Sequence, residues 1–119
     1  MNLLQDIQSN ASSEYSPFLE AHTASISVGD DVLLYGTSDL PERNTTYEVQ
    51  TYLPGWFTIG DDSGGQALLM RLNGSSTVYR CGHGAIGSFP PEVVSDSFST
   101  WLEENCPGPW MDDDEEFDD

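Results

Sequence analysis

Three short apolar runs separated by glycine-containing turns constrain the fold of this 119-residue chain most strongly. The runs are Trp56–Ile59, Ala67–Leu72 and Thr77–Cys81. Three glycines lie in Gly60–Gly65 between the first two runs, and Asn73-Gly74 follows the second. Asn-Gly pairs favour a two-residue hairpin turn, and glycine accepts positive φ in any turn. The pattern therefore predicts an antiparallel meander over residues 56–81.

Helical patterns flank this meander on both sides. Two sets of apolar residues recur at the spacing of one helix face. For the helix that follows the meander, Ser95 or Ser97 is expected to cap the start and Pro107 to mark the end. Shorter patterns predict a helical turn at the N-terminus, a turn at Val28–Asp31, a strand at Val32–Tyr35 and a helix near Leu40–Val49. The two stripes are Tyr15, Phe18, Leu19 and His22, then Val94, Phe98, Trp101 and Leu102.

The predicted fold class is α+β, a single domain with a mainly antiparallel sheet, its meander at the centre, and helices packed on it. The domain is predicted to cover residues 1–108, because Pro107-Gly108-Pro109 breaks the last helical pattern. Seven of the eight residues from 112 to 119 are acidic. Such a run repels itself, so residues 109–119 are predicted to form a disordered tail. Trp110, Met111 and Phe117 leave docking of this tail on a surface open.

The charge balance limits the partners of the chain. There are 21 acidic residues against three arginines, Arg43, Arg71 and Arg80, and no lysine, so the net charge is −18. Nucleic-acid binding through phosphates needs clustered Lys and Arg, and anionic membranes attract polybasic segments. The composition therefore rules out direct nucleic-acid binding, argues against a membrane surface, and favours a positively charged partner.

The sequence shows no targeting or membrane segment. No stretch approaches the ~20 apolar residues of a membrane span, and the start lacks the basic and apolar regions of a secretory signal. A cytoplasmic protein is therefore expected. In that compartment Cys81 and Cys106 are expected to be reduced thiols, although a disulfide between them stays open.

Motifs for cofactors and metals are incomplete. Gly82–Gly87 fits the G-x-G-x-x-G pattern of dinucleotide-binding loops, but Pro90-Pro91 cuts off the helix that such a loop needs. A flexible loop is predicted instead. Four residues have the chemistry of zinc ligands but not the usual spacing, so neither a metal nor a cofactor is predicted. They are His22, Cys81, His83 and Cys106.

The residues needed for catalysis also lack a recognisable arrangement. Asp61–Gly65 misses the first glycine of a nucleophile elbow and the terminal glutamate of a calcium loop, so a hairpin connection is predicted there. His22 is expected to be a helix-end or packing residue. No nucleophile and base stand at a suggestive spacing, and the chain is predicted not to be an enzyme.

Several pieces of the sequence occur in the order and spacing of one known family. They are Tyr35–Leu40, Glu42-Arg43-Asn44, Tyr52–Gly65, Ala67–Leu72, Val78-Tyr79 and Ser97–Leu102. Over about residues 32–102 the chain resembles the SMI1/KNR4 family, also called the SUKH superfamily. Residues 1–25 depart from the family pattern, because they are short and lack a Leu-Pro. The resemblance implies a SUKH-like fold whose defining residues are Pro54, Gly55, Trp56, Ile59, Gly60, Gly64, Gly65, Phe98, Trp101 and Leu102.

The resemblance also implies a function. Many bacterial members look like immunity proteins, which bind and neutralise a cognate toxin, often a nuclease, of polymorphic toxin or contact-dependent competition systems. A basic toxin fits the acidic charge, because complementary charge steers association. The alternative is a general protein-interaction or regulatory scaffold of the same type. Charge and expected exposure predict partner contacts at Asp61, Asp62, Glu103, Glu104, Asp112, Asp113, Asp114, Glu115 and Glu116.

Overall fold

Six antiparallel strands form one sheet in which each strand pairs with the next along the chain. The computed structural model describes residues 3–29, 31–62, 64–88 and 90–108. The predicted α+β class and the central meander are confirmed, because β3, β4 and β5 are consecutive neighbours. The strands are β1 (Ile26–Val28), β2 (Val32–Leu34), β3 (Trp56–Asp62), β4 (Gln66–Arg71), β5 (Val78–Gly82) and β6 (Glu92–Ser95).

In the part of the chain that the structure describes, five short helices accompany the sheet. Pro17 stands in the first turn of α2, where its missing N–H costs nothing. Ser97 caps α5 as predicted, because its Oγ accepts a hydrogen bond from the Thr100 N–H at 3.2 Å. The helices are α1 (Leu3–Asn10), α2 (Ser16–Ala21), α3 (Leu40–Thr46), α4 (Val49–Tyr52) and α5 (Phe98–Glu103), and His83–Ala85 forms one 3₁₀ turn.

The prediction of a turn starting at residue 60 is wrong. β3 continues to Asp62, since Gly60 and Asp62 pair with Leu34 and Val32 of β2. Gly60 is needed here for close approach and not for a turn, because a Cβ at this position would lie 2.2 Å from the Leu33 carbonyl oxygen. The turn itself is confined to the residues between β3 and β4, where Gly65 has a φ of +86°.

Three further predictions of local structure are corrected. The helix expected near 40–49 is two helices, because Glu48 has a φ of +54° and interrupts it. The strands β1 and β6 were not predicted, and Val94 lies in β6 and not on the last helix. His22 follows the end of α2 in extended conformation, with its ring stacked on Phe18, which confirms its role as a helix-end packing residue.

The larger core lies between one face of the sheet, here called the first face, and helices α1, α2 and α5. Tyr15 stands near its centre, with its ring centroid 5.4 Å from that of Phe57 and 5.1 Å from that of Phe98. The Tyr15 hydroxyl is buried and has no hydrogen-bond partner in the described ranges. Its burial raises the pKa of this phenol. The ring therefore stabilises the core while the hydroxyl opposes it.

We expect Tyr15→Phe to raise the free energy of unfolding by about 1 kcal/mol, since it keeps the ring contacts and removes a buried unsatisfied hydroxyl. Tyr35→Phe is the matched control, because the Tyr35 hydroxyl donates to Asp61 and its loss should destabilise the protein. Urea unfolding of both variants measures the difference. A less stable Tyr15→Phe protein would show that the hydroxyl contributes favourably.

A polar cluster joins the N-terminal helices to α5. The Glu14 Oε1 accepts hydrogen bonds from the Ser97 hydroxyl at 2.8 Å and from the Ser99 N–H and hydroxyl, each at 3.1 Å. These bonds, led by the Ser99 N–H, lower the pKa of Glu14. A carboxylate at the start of α5 also suits the helix dipole. Glu14 therefore fixes where α5 meets the chain between α1 and α2.

The smaller core lies on the second face of the sheet and is built from Val49, Ala67, Leu69, Cys81 and Ile86. Asn44, fully buried in α3, connects the helices on this side to β3. Its Oδ1 accepts from the Thr58 N–H at 2.9 Å, and its Nδ2 donates to the Thr58 carbonyl at 3.1 Å. The side-chain amide thus takes the place of a neighbouring strand beside Thr58, because β2 pairs only with residues 60–62.

Asn44→Ala should lower the free energy of unfolding by about 3 kcal/mol, because it leaves the buried N–H and carbonyl of Thr58 without these bonds. Thr45→Ala, on the exposed side of the same helix, should change it by less than about 0.5 kcal/mol. Urea denaturation compares the two. An equal loss of unfolding free energy in both variants would contradict a stabilising role of the Asn44 amide.

Candidate functional site

One end of the sheet collects three connections of the chain. Val32 pairs with Asp62, so the turn before β2 and the turn after β3 lie at the same end. Gln66 pairs with Gly82, and Arg80 pairs with Glu92. The connection from β5 to β6 therefore starts and finishes at this end as well.

The C-terminal end of α5 reaches the same place. A Cβ at Gly29 would lie 3.2 Å from the carbonyl oxygen of Asn105, so the residues just after α5 contact the turn before β2. Glu103 and Glu104 immediately precede Asn105. We call the surface around these connections the acidic end. It is formed by Asp31, Asp61, Asp62, Glu92, Glu103 and Glu104.

Glu103 and Glu104 are exposed, as predicted, and stand where acids are electrostatically unfavourable. Glu103 is the last residue of α5 and Glu104 follows it, at the C-terminal end of the helix. Negative side chains are disfavoured near the partial negative charge of a helix C-terminus. These two acids therefore do not serve the stability of α5, and they are available to a partner.

Asp61 is half-buried and holds a tyrosine in place. The hydroxyl of Tyr35 donates to Asp61 Oδ2 at 2.5 Å. Burial, together with this hydrogen bond and the nearby carboxylate charge, raises the pKa of Tyr35. One carboxylate oxygen of Asp61 is thus engaged in a bond that supports the fold, and the carboxylate itself lies at the acidic end.

Asp62 shapes the turn after β3. It is only 8% exposed, and its Oδ1 accepts from the Gly64 N–H at 2.8 Å and from the Gln66 N–H at 2.9 Å. An aspartate that bonds the backbone two residues ahead is a common way to fix such a turn. The exposure on which Asp62 was predicted to be a partner contact is therefore not present, and its carboxylate serves the fold.

His83 lies beside these two aspartates. Its ring stacks on Tyr47 with a centroid separation of 4.1 Å and an interplanar angle of 9°. Its Nε2 is buried and makes no hydrogen bond within the described residues. Burial lowers the pKa of His83, and the charges of Asp61 and Asp62 oppose this shift only in part. The imidazole is therefore neutral at neutral pH and acts as a flat packing surface for Tyr47.

The lowered pKa of His83 predicts a loss of stability on acidification. Below the ordinary value of 6.5 the unfolded chain takes up a proton more readily than the folded protein, so stability that is complete above this pH declines as the pH falls. His83→Gln removes this contribution. Its free energy of unfolding, measured in urea at about pH 7.5 and about pH 5.5, should fall less than that of the parent protein. Identical changes in the two proteins would contradict the prediction.

The three arginines all have partners inside the protein. Arg43 Nε contacts Glu42 Oε1 at 3.4 Å, and Arg80 Nη2 pairs with Glu92 Oε1 at 2.5 Å. The guanidinium of Arg71 lies 5.0 Å from the ring centroid of Trp56. Arg43 and Arg80 are therefore paired with glutamates, whereas the charge of Arg71 faces a neutral ring.

A pocket of about 310 Å³ opens beside the Arg80–Glu92 pair. Gln66 lies at its wall and accepts a hydrogen bond from Arg80 Nη1 at 3.3 Å. The pocket also includes Gly82 and Ala85 of the G-x-G-x-x-G segment, which forms a 3₁₀ turn and not an α-helix. Neither Arg80 nor Gln66 was predicted to be a site residue, and only the strand register brings them together.

The cysteines and histidines that were considered as zinc ligands do not meet. No three His, Cys, Asp or Glu side chains of the described segments are placed to hold a metal ion. Cys81 belongs to the smaller core and Cys106 to the larger one, and they form no disulfide. Burial raises the pKa of both thiols, that of Cys106 to about 12. Both are thus poor nucleophiles at neutral pH.

The predicted tail contacts, Asp112, Asp113, Asp114, Glu115 and Glu116, lie outside the described residues. None of the helices in the described ranges is long and apolar enough to cross a membrane. No protein-family model and no curated protein matches the chain. The acidic end is therefore the candidate site on its geometry alone, with Glu92, Glu103 and Glu104 as its exposed acids and Asp31 and Asp61 as partly exposed ones.

Proposed function

We propose that this protein is a non-catalytic immunity protein that binds and neutralises a cationic toxin in the bacterial cytoplasm. The observation that carries the proposal is the separation of charges. Arg43 and Arg80 are paired with glutamates and Arg71 lies over Trp56, while the exposed Glu103 and Glu104 and the half-buried Asp31 and Asp61 gather at the acidic end. A surface of this kind attracts a basic protein and repels nucleic acid.

The partner is proposed to be a protein of the nuclease type. An enzyme that grips phosphates carries clustered Lys and Arg, and those groups are the complement of the acidic end. Charge complementarity speeds association to about 10⁸–10⁹ M⁻¹s⁻¹ in favourable cases, which suits an inhibitor that must meet its target quickly. An inhibitor covering such a groove would compete directly with the nucleic-acid substrate.

The toxin–immunity part of the proposal rests on the resemblance to the SMI1/KNR4 family. The residues that carry this resemblance have structural roles. Asn44 bonds the backbone of β3, Gly60 allows the close approach of β2, and Phe98 and Trp101 form the buried side of α5. These contacts support the reading of the motifs as fold-defining and not catalytic.

The side chains with the chemistry for catalysis already make structural contacts, which supports a binding role. Asp61 accepts from Tyr35, Asp62 holds a turn, and the ring of His83 is stacked on Tyr47. Each of these groups has a defined structural contact, and the protein needs no turnover to block a partner. Inhibition then depends on affinity and surface complementarity alone.

The charge hypothesis predicts that Glu103→Gln/Glu104→Gln weakens binding to the basic toxin about tenfold at low salt, an effect that shrinks at high salt. The control, Glu20→Gln/Asp96→Asn, removes the same number of exposed acids away from the acidic end. Titration against the product of a neighbouring toxin-like gene, and rescue of growth on co-expression, measure the two effects.

The same double variant should keep or raise the free energy of unfolding, because it removes acids from the end of a helix. A loss of binding therefore cannot be attributed to unfolding. Equal affinity of the parent, the variant and the control would contradict the acidic end as the interface. Failure of the parent protein to bind or neutralise any basic toxin would contradict the proposed function itself.

A further inference from the structure

The last strand of the sheet offers an unpaired backbone edge. The strand order ends at β6, which pairs with β5 on one side and has no ladder partner on the other within the described residues. An outer edge of this kind presents N–H and carbonyl groups that can pair with an added strand. The start of β6 lies at the acidic end, next to the proposed interface.

Side chains on the second face extend this edge into an apolar surface. Val93 of β6 is 59% exposed and pairs with Tyr79 of β5. The ring centroid of Tyr79 lies 4.7 Å from that of Trp56. The Arg71 guanidinium lies over the Trp56 ring, with its carbon 5.0 Å from the ring centroid. We call Val93, Tyr79 and Trp56 the β6 row. Tyr and Trp are among the residues that most often carry binding energy at protein interfaces.

On the first face of β6, Val94 packs against the larger core and Glu92 contributes charge. Glu92 lies opposite Arg80, and its side chain is 67% exposed although it contacts that arginine. Side chains of a strand alternate between the two faces of a sheet. A strand added beside β6 would therefore place alternate residues against Val93 and against Glu92. The matching sequence alternates apolar and basic residues.

Self-pairing of two β6 edges is disfavoured by three features. The strand has only four residues, Pro90-Pro91 precedes it, and Val94 is an extra residue that bulges relative to β5. Short length, proline and bulges are the usual protection of an edge against association. A second copy also brings a net charge of −18 to the contact. A cationic strand meets the same limits of length, proline and bulge, but its charge is attracted where that of a second copy is repelled.

We propose that the outer edge of β6 binds an extended segment of the cationic protein partner as an added strand. The apolar residues of that segment pack on the β6 row, and its basic residues face Glu92. This inference rests on the proposed function for the cationic nature of the partner, and it adds where and in which conformation the partner binds.

A display library of random peptides of about ten residues, long enough for one strand, tests this directly on the full chain. Selected peptides should alternate apolar and basic residues. Val93→Arg should weaken their binding about tenfold relative to Ser27→Arg, since a lost interface anchor typically costs this much. Ser27 lies at the middle of β1, the opposite edge strand, so both variants place one arginine on an edge and change the net charge equally.

Amide hydrogen exchange in β6 should slow when a selected peptide is bound. Peptides without alternation, equal binding to the two arginine variants, or no enriched peptide at all would overturn the β6 site. Basic peptides that bind both arginine variants equally but lose affinity for Glu103→Gln/Glu104→Gln would overturn it while leaving the proposed function standing. Loss of binding to Ser27→Arg and Val93→Arg alike would assign the effect to net charge and also overturn it.

Discussion

The amide of Asn44 is the contact on which the arrangement of the second face depends. β2 is three residues long and β3 seven, so part of β3 has no strand beside it. Asn44 closes this gap by bonding both backbone groups of Thr58, and Gln50 adds a bond to the Trp56 carbonyl at 2.9 Å. Because α3 and α4 are anchored in this way, Tyr47 reaches His83, while Tyr79 stays partly exposed and Val93 exposed.

The fold was predictable where local chemistry decides the structure. Turn residues around 64–65 and 73–74 set the meander, and Ser97 gave the start of α5 correctly. The strands β1 and β6 escaped prediction because each is short and exists through pairing with a neighbour. Val94 was misplaced for a related reason, since its spacing to Phe98 fits a helix equally well. Whether a short segment of this kind becomes strand or helix is decided by tertiary contacts and not by local pattern.

The candidate site was predictable in its charge but not in its geometry. Glu103 and Glu104 were correctly expected to be exposed, yet nothing in the sequence tells that α5 ends beside the turn before β2. Asp62 was expected on the surface because an acid in a turn is usually solvated, whereas here it bonds two backbone N–H groups. The β6 row depends on strand register, which a sequence pattern alone does not define.

Charge and edge protection act together in this protein. A half-exposed row of tyrosine, tryptophan and valine beside an open strand would ordinarily invite self-association. The high negative charge opposes contact between two copies at any angle, and the short, bulged β6 weakens backbone pairing between them. The same charge favours a partner of opposite sign, for which the apolar row remains accessible. In the proposed complex, the acidic exterior would restrict binding to partners of opposite charge, and apolar contacts and backbone pairing would supply most of the affinity.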